Sequence, residues 1–235
     1  MVLLDIANAL SDAVDALSFE EPAIACIYNP LRYAMTPHAE YLRKYGTGRK
    51  RVVLVGMNPG PWGMVQTGIP FGDVSMVKNW LGIDEQVHSP QRIHPKRPVT
   101  GFSCTRSEVS GTRLWGWAKA RFGTPERFFE HYFVHNYCPL AFMEESGKNL
   151  TPDKLTQASK RALFECCDHA LASTVRALAP AHVIGIGAFA ETRALQALKG
   201  IDIKVGRILH PSPASPLANA NWAQTVDQQL ADQLG

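Results

Sequence analysis

The sequence predicts an α/β protein whose mainly parallel sheet lies between layers of helices. Three observations favour this class. Four short apolar runs alternate with helical segments along the 235 residues. The run from Val52 to Val55 is uninterrupted and mostly β-branched, which is typical of a strand buried on both faces. At the ends of three of these runs lies a polar residue that a proline soon follows, and parallel strands would bring these ends to one edge of the sheet.

Length and composition limit the class of protein. A chain of 235 residues with 46% apolar residues is long enough for one large core, and no feature requires a second domain. The apolar stretches are far shorter than a membrane span, and the first residues lack the order of a signal peptide. We therefore expect a single domain over residues 1–235 in a soluble, cytoplasmic protein with no membrane partner.

The five cysteines indicate neither a disulfide framework nor a metal site. Their number is odd, and no pair has the C-x-x-C spacing of zinc or iron–sulfur sites. We expect buried thiols that behave as small apolar groups, with no metal and no cofactor. The net charge of +3 is compatible with a nucleic-acid partner but does not require one.

The segments before the central strand predict two helices. Apolar residues between Val2 and Leu17 recur at helical spacing. An irregular stretch over Tyr28–Met35 then leads to Thr36-Pro37, which supply an N-cap and the first position of a helix that Gly46 ends. The cations between Arg43 and Arg51 fit either a solvated helix end or a phosphate-binding patch.

The central strand leads into a turn that contains three glycines and two prolines between Gly56 and Gly63. Such a turn is rigid at its prolines and sterically open at its glycines. In open α/β sheets, ligands bind beyond the carboxyl ends of the strands. Asn58, in this turn, is therefore the first candidate site residue. The alternative, that Asn58 only shapes the turn, stays open at this point.

The middle of the chain predicts short helices around a long loop. A helix over Val74–Leu81 ends at Gly82, and residues 84–108 are polar, basic and rich in proline. Long irregular loops in compact domains are usually functional or disordered. Ser110 can cap a helix through Phe122, and Thr124-Pro125 opens the next one.

The second half of the chain supplies the other three strands. They are predicted over Tyr132–Tyr137, His182–Ile186 and Lys204–Leu209, and the first and last lead to Asn136 and His210. Helices are predicted over residues 154–179 and 189–198 and from about residue 221, and a turn covers residues 146–152. Gly200 is a plausible C-terminal cap of the helix before it.

Two amides and one imidazole make an unusual set of groups at one sheet edge. Asn58, Asn136 and His210 include neither paired carboxylates nor a nucleophile with its base. The first turn is not a phosphate-binding Walker A loop, because no Lys-Ser/Thr follows its glycines. These groups suit a reaction with a good leaving group and a cationic intermediate, where an oriented water and a stabilised anion are sufficient.

Three motifs resemble those of the single-strand-selective monofunctional uracil-DNA glycosylases. Gly56–Gly72 is similar to the first motif of that family, and His135–Leu140 and His210–Pro213 match the other two in order and approximate spacing. Two further stretches also resemble the family: Ser107–Gly111 and Gly147–Pro152. The resemblance covers about residues 28 to 222, and three motifs in register make it specific.

The resemblance implies both a fold and an activity. The fold is a three-layer α/β/α sandwich with a central four-stranded, mainly parallel sheet, as in uracil-DNA glycosylases. The activity is DNA repair: uracil is flipped out of single- or double-stranded DNA and its N-glycosidic bond is hydrolysed, leaving an abasic site. Substrates with 5-substituted uracils or deaminated purines stay open. The resemblance implies no metal or other cofactor, and we expect a monomer.

The resemblance also assigns the two catalytic residues. Asn58 positions the hydrolytic water, and His210 donates a hydrogen bond to the uracil O2 as negative charge develops there. Because an amide cannot accept a proton as a carboxylate would, the sugar cation forms before water attacks. The reaction therefore depends strongly on stabilisation of the leaving group by His210.

Four residues are implied to surround the flipped base. Met57 and Gly60 line the pocket, Phe71 stacks on the base, and Asn136 reads its polar edge. An amide offers donors and an acceptor together, so Asn136 can match uracil and mismatch cytosine. The alternatives, an ordinary core role for Phe71 and a simple strand-end amide at Asn136, remain open from the sequence.

The assigned contacts with DNA are Lys148, Asn149, Thr151, Ser212 and Leu217. We expect phosphate contacts from the basic segments around Arg49 and Lys96, and from Lys148 beside a helix start at Thr151-Pro152.

A wedge at Leu217 is predicted from a departure from the family pattern. Animal members carry Arg-Asn after His-Pro-Ser-Pro, where this chain has Ala214-Ser215. Leu217 is the only bulky apolar residue between Pro213 and Asn219, which makes it the candidate for the residue inserted into the DNA stack. The alternative is that Leu217 packs on the last helix near Trp222.

Three other functions are compatible with parts of the sequence. An iron–sulfur uracil glycosylase would need cysteine spacing that is absent here. A non-catalytic binder of single-stranded or damaged DNA would use aromatic side chains and a basic groove. A nucleotide-binding Rossmann-like domain would need an acidic residue for the ribose, and none is evident.

Overall fold

The computed structural model describes residues 2–235, which contain two β-sheets and ten α-helices. The strands are β1 Ile24–Tyr28, β2 Val52–Gly56, β3 Tyr132–Asn136, β4 Ala141–Glu144, β5 Asn149–Leu150, β6 His182–Ile186 and β7 Lys204–Ile208. The helices are α1 Val2–Asp15, α2 Pro30–Tyr33, α3 Met35–Tyr45, α4 Met64–Thr67, α5 Val74–Asn79, α6 Val109–Phe122, α7 Pro125–His131, α8 Gln157–Leu178, α9 Ala188–Ala197 and α10 Pro216–Leu234.

The four strands predicted from the sequence form one parallel sheet in the order β3–β2–β6–β7, which confirms the predicted fold class. All five residues of β2 are buried, as its continuous apolar run requires. In register, Gly56 lies opposite Asn136 and Ile186 opposite Ile208. The carboxyl ends of all four strands therefore meet at one edge.

Two groups of helices cover the two faces of this sheet. Tyr132 of β3 packs edge-on against Trp117 of α6, whereas Phe133 and His135 border a cavity that Leu3 of α1 also lines. Because neighbouring residues of a strand point to opposite faces, α6 and α1 lie on opposite sides. Helices α7 and α10 pack with the first group, and α8 and α9 with the second.

A second, antiparallel sheet of three strands was not predicted. It has the order β1–β4–β5, and its strands have five, four and two residues. Residues 28–35 were predicted to be irregular, but they contain the end of β1 and helix α2. Lys148 lies in the turn between β4 and β5. Asn149 is the first residue of β5, and the second sheet thereby brings it to the edge of the central sheet.

Several helix starts differ from those predicted. Helix α3 begins at Met35, so Thr36 is not its cap, and α6 begins at Val109 after Glu108, so Ser110 lies inside it. Thr156, with its side-chain oxygen bonded to the Ser159 N–H, caps α8. Pro152–Lys154 forms only a 3₁₀ turn.

The last two helices also differ from the predictions. Helix α10 begins at Pro216 and is capped by Ser215, while Asn221, predicted as its start, is a kink within it. Helix α9 has Leu198 as its C-cap, and Gly200 lies beyond it with a φ of +85°.

Two histidines lie beside a small cavity in the core. The buried His38 and the half-buried His135 border this cavity, which has a volume of about 30 Å³ and lies between α1, α3 and β3. The His38 Nδ1 lies 2.7 Å from the Gly68 carbonyl oxygen, whereas no described residue bonds to Nε2 of His135. Burial lowers the pKa of both imidazoles to about 4. Both side chains are therefore neutral near pH 7.

Two global properties follow from the described residues. All five cysteines are free thiols, three of them buried. None of the helices within residues 2–235 combines the length and the apolar character that crossing a membrane requires.

Residues 84–108 are mostly irregular, as predicted, with one 3₁₀ turn at Gly101–Ser103 and a bridge between His94 and Arg97.

Candidate active site

A cleft of about 360 Å³ opens at the carboxyl edge of the central sheet. It lies where ligands bind in open α/β sheets. The predicted residues that line it are Met57, Asn58, Gly60, Phe71, Asn136, Asn149, Thr151, His210 and Ser212. Pro61, Met64, Glu108, Ser110 and Pro213 complete the wall. The structure thus brings together both predicted catalytic residues and all four predicted base-binding residues.

The first two motifs are tied to each other by main-chain hydrogen bonds. The pairing of β2 with β3 continues past the strands, because Tyr137 N–H donates to the Gly56 carbonyl and Cys138 N–H to the Met57 carbonyl, both at 2.9 Å. These bonds hold Met57 and the turn after it against the second motif. The carbonyl of Met57 accepts one hydrogen bond in this pairing and is thereby held in place.

The amide of Asn58 is oriented by the second motif. Its Nδ2 donates to the carbonyl of Leu140 at 3.3 Å. The residues in the structure give Oδ1 of Asn58 no hydrogen-bond partner, so an acceptor remains toward the cleft. An amide fixed in this way can orient a water molecule but cannot take a full proton from it.

Asn136 reaches the cleft because Gly56 lies opposite it. A Cβ on Gly56 would come within 2.4 Å of Oδ1 of Asn136 and within 2.6 Å of the Phe71 ring. Nδ2 of Asn136 lies 3.2 Å from the sulfur of Met64, and its buried Oδ1 has no partner among the described residues. A buried, unpaired acceptor is costly, so this amide is well suited to a ligand that donates a hydrogen bond.

Phe71 is held in a conformation that non-glycine residues rarely adopt. Its φ is +54°. The carbonyl of Phe71 accepts hydrogen bonds from Asp73 N–H at 2.8 Å and from the indole N–H of Trp115 at 3.0 Å. Gly111 permits this approach, since a Cβ there would lie 2.1 Å from the same oxygen. Strained backbone of this kind is typical of functional sites. The two hydrogen bonds to the carbonyl hold this conformation, and the half-buried ring therefore stays in the cleft wall.

His210 lies across the cleft from Phe71, with 6.2 Å between the two ring centroids. Burial lowers the pKa of its imidazole to about 4. The ring is therefore neutral near pH 7 and can donate one hydrogen bond without carrying a charge. Its backbone neighbour Leu209 is fixed by the indole N–H of Trp222, which donates to the Leu209 carbonyl at 2.7 Å.

The loop after His210 is held by Arg113, which the sequence analysis did not single out. The guanidinium donates to the carbonyls of Pro211 and Ser212 at 3.2 and 3.3 Å and to Oδ1 of Asn219 at 2.8 Å. Arg113 thus ties the middle of the third motif to helix α10. No local pattern marks this residue, because its partners are about a hundred residues away in the sequence.

Glu108 places a carboxyl group in the cleft wall. The sequence indicated it only as part of Ser107–Gly111, a stretch that resembles the family. Its Oε2 accepts from the N–H of Trp62 at 3.3 Å, and a Cβ on Gly60 would lie 2.5 Å from the same oxygen. Burial raises the pKa of this carboxyl, and the nearby Asp73 raises it further. Gly60 is therefore required for the turn and the carboxyl to meet.

The predicted contacts with DNA divide into two groups. Asn149, Thr151 and Ser212 line the cleft, and Nδ2 of Asn149 donates to the carbonyl of Pro59 at 2.9 Å. Lys148 is exposed and lies outside the lining, beside the β4–β5 turn. Leu217 is also outside it and is 69% exposed.

Two expectations about phosphate contacts are not supported by the structure. Arg49 precedes β2 and donates to the carbonyl of Ala179, so it lies at the opposite edge of the sheet from the cleft. The start at Thr151-Pro152 is a three-residue 3₁₀ turn and offers no full turn of α-helical N–H groups to an anion. Within residues 2–235, no group of three or more His, Cys, Asp or Glu side chains is arranged to hold a metal ion.

Comparison with known proteins places the chain in a family. The model of the uracil DNA glycosylase superfamily matches residues 43–231. A protein of Rattus norvegicus named single-strand selective monofunctional uracil-DNA glycosylase is 47% identical over 225 residues, which are 95% of this chain and 81% of the rat protein. The Mus musculus protein of that name is 46% identical over 95% of this chain and 80% of its own length.

A solved structure supports the same fold. The crystal structure of wild-type SMUG2 from Pedobacter heparinus has a TM-score of 0.67 to this chain, covers 97% of it and 96% of its own length, and is 19% identical in sequence. At this identity the likeness concerns the fold alone. The family model and the relatives go further, and this chain belongs to the single-strand selective monofunctional uracil-DNA glycosylases of the uracil DNA glycosylase superfamily.

Proposed function

We propose that this chain flips uracil out of DNA and hydrolyses its N-glycosidic bond, with Asn58 and His210 as the catalytic residues. The observation that carries the proposal is the meeting of Asn58, Phe71, Asn136 and His210 in one cleft. The names of the rat and mouse relatives describe this activity.

Recognition of the base follows from the buried amide. Oδ1 of Asn136 lacks a partner, and it accepts the N3–H of uracil while Nδ2 donates to O4. Cytosine has an unprotonated N3 and an amino group at C4, so both contacts would be mismatched. Phe71 stacks on the base, while the main chain of Met57 and Gly60 closes the pocket. Extrusion of the base from a duplex costs a few kcal/mol, which these contacts offset.

The chemical step breaks the C1′–N1 bond, and its electron pair goes to uracil. The neutral His210 donates a hydrogen bond to O2, where negative charge develops, and this lowers the barrier. A sugar cation is left. Oδ1 of Asn58 orients a water whose oxygen bonds to C1′. The proton that this water loses late balances the negative charge on the departed uracil, which leaves as the neutral base. The products are free uracil and an intact abasic site.

We test this function with labelled single- and double-stranded oligonucleotides that contain one uracil, in buffer with EDTA. We expect release of uracil and strand scission only after alkali, because water and not a lysine amine attacks the sugar. Strand cleavage without alkali, trapping of protein on DNA by borohydride, or loss of activity in EDTA would contradict a metal-independent monofunctional reaction. Binding of uracil-containing DNA without release of base would instead identify a non-catalytic binder.

We also infer the state in which the chain acts. One cluster of buried apolar residues extends from Leu3 in α1 to Leu230 in α10, which supports a single domain over residues 1–235. We infer a monomer, since the cleft is complete within one chain. The substrate is DNA inside the cell, and no membrane partner is proposed.

Leu217 is proposed as the wedge that fills the gap left by the flipped base. The alternative of packing near Trp222 is disfavoured, because Leu217 is 69% exposed on the second residue of α10. Ser215 caps that helix through the Ala218 N–H, and Asn219 Nδ2 donates to the Pro213 carbonyl, so the loop is fixed. An exposed leucine in the first turn of a helix with a fixed start suits insertion into a base stack.

For Leu217→Ala we expect slower cleavage of uracil in a duplex, by about 10-fold or more, and little change on single strands. The reason is that unstacking costs a few kcal/mol only where a stack exists. Single-turnover rates on both substrates measure the difference, and Leu195→Ala, at an exposed leucine of α9, is the matched control. An equal loss on both substrates would end the wedge hypothesis.

A further inference from the structure

Two arginines of the long basic loop lie over one indole ring. The guanidinium carbon of Arg97 is 5.2 Å from the ring centroid of Trp62, and that of Arg106 is 4.9 Å from it. Arginine stacks well on tryptophan, and stacking leaves the N–H groups at the edge of the guanidinium able to donate. One of them, Nη1 of Arg97, donates to the Lys96 carbonyl at 2.7 Å. We call Arg97, Trp62 and Arg106 the arginine–tryptophan stack.

Side-chain hydrogen bonds hold both ends of the loop segment that carries the stack. Gln66 Nε2 donates to the Pro98 carbonyl at 3.0 Å, and its Oε1 accepts from Thr100 N–H at 2.9 Å. At the other end, Oδ2 of Asp73 accepts from Ser107 Oγ and from Glu108 N–H, both at 3.0 Å. The stack is thus preorganised rather than carried on a free loop.

The charges of the stack are not neutralised by the protein. In the part of the chain that the structure describes, no carboxylate forms an ion pair with Arg97 or Arg106. The Nε of Arg97 is buried and has no hydrogen-bond partner there. Gly147 packs against the same place, since a Cβ on it would lie 3.1 Å from the guanidinium of Arg97 and 3.2 Å from Cβ of Lys96.

The stack is contiguous with the rim of the cleft. Trp62 directly follows Pro61, which lines the cleft, and its N–H donates to Glu108 in the cleft wall. On the other side, the turn at Gly147 leads through Lys148 to Asn149, another lining residue. A strand whose base enters the cleft must place its neighbouring phosphates near this rim.

We propose that Arg97 and Arg106, held over Trp62, bind a phosphodiester of the unpaired DNA strand beside the flipped nucleotide. Guanidinium and phosphate match in a bidentate manner, and prior stacking reduces the side-chain entropy lost on binding. Because no carboxylate forms an ion pair with either arginine in the described part of the chain, a bound phosphate would supply the counter-charge that both lack. This inference rests on the proposed function, because it assigns the strand that carries the uracil to this surface.

The test compares Arg97→Ala/Arg106→Ala with a charge-matched control, Arg127→Ala/Arg176→Ala. The control arginines are exposed, near the amino ends of β3 and β6, and away from the cleft. Binding is measured on a single-stranded oligonucleotide with 2′-fluorodeoxyuridine, whose fluorine disfavours the sugar cation and prevents cleavage. We expect the log–log salt slope of the double variant to fall by about 0.7, because the contact with one phosphate of a single strand is lost. The control variant should keep the slope of the wild-type protein.

A neutral methylphosphonate at each position next to the uracil locates the contact. In the wild-type protein we expect one position to weaken binding, and in the double variant that position should have no further effect. An unchanged salt slope, or equal sensitivity of both proteins at every position, would overturn the inference. Uracil release by the wild-type protein is assayed separately, so failure of the proposed function is a different result. Arg106→Ala alone, at an exposed position, provides a second variant if the double one is unstable.

Discussion

Asn58→Ala and His210→Ala are each expected to slow single-turnover release of uracil by about 100- to 1,000-fold, with little change in DNA affinity. Removing one preorganised group that acts mainly in the transition state typically has an effect of this size. Asn58 is oriented by the Leu140 carbonyl before the substrate arrives. The half-buried His210 is neutral near pH 7 and follows Leu209, whose carbonyl accepts from the Trp222 indole. We expect most of the affinity to come from phosphate contacts outside the cleft, which neither change would affect.

The design of this experiment separates chemistry from folding. Single-turnover rates are measured with enzyme in excess, and binding is measured on the uncleavable 2′-fluoro substrate. Asn79→Ala and His169→Ala, at exposed positions outside the cleft, are matched controls. Asn58→Asp is the sharper variant, because a carboxylate can accept a proton but adds negative charge near the leaving anion, and partial activity is expected. A variant at either position that turns over like the wild-type protein would remove that residue from the mechanism.

The central sheet and its polar edge could be predicted because their signals are local. The continuous run from Val52 to Val55 indicates a strand buried on both faces, and all five residues of β2 are buried in the structure. Asn58, Asn136 and His210 follow directly from strand ends, so parallel topology alone brings them to one cleft.

The parts that could not be predicted depend on contacts between distant segments. Strand β5 has two residues, too few for any period to be visible, yet it places Asn149 in the cleft wall. Arg113 and Glu108 act on turns that lie far away in the sequence. Gly56 is read from the sequence as a turn residue, whereas the structure shows that its missing Cβ makes room for Asn136 and Phe71.

The basic residues also show that a local pattern of charge does not determine where a residue lies in the fold. Arg49 and Lys96 have similar local patterns of charge, and the sequence gives both the same role. Only the topology separates them, because Arg49 lies at the amino edge of the sheet and the Lys96 segment packs beside the β4–β5 turn near the cleft. Composition therefore predicts that a basic surface exists, and the order of the strands decides which cations reach the DNA.

Acidification is expected to destabilise the folded protein by several kcal/mol between about pH 6.5 and pH 4. Burial lowers the pKa of His38 and His135 from 6.5 to about 4, so the unfolded chain binds protons that the folded chain excludes. The stabilisation from each neutral histidine is complete above pH 6.5 and is lost as the pH falls toward 4. Each histidine contributes at most about 3 kcal/mol. His210 acts in the same direction, and the raised pKa of Glu108 acts in the opposite one.

Urea unfolding between pH 4 and pH 8 measures this loss in the wild-type protein and in His38→Asn/His135→Phe. Asn at position 38 keeps a donor for the Gly68 carbonyl, and Phe at position 135 removes an unpaired buried nitrogen beside a cavity that can accept part of its ring. The double variant should therefore lose much less stability on acidification, whereas His169→Ala, at an exposed position, should follow the wild-type curve. Parallel curves for the wild-type protein and the double variant would show that these two histidines do not carry the acid sensitivity. A flatter curve would tie it to the layer of side chains between α1, α3 and β3, directly behind the strand that ends in Asn136.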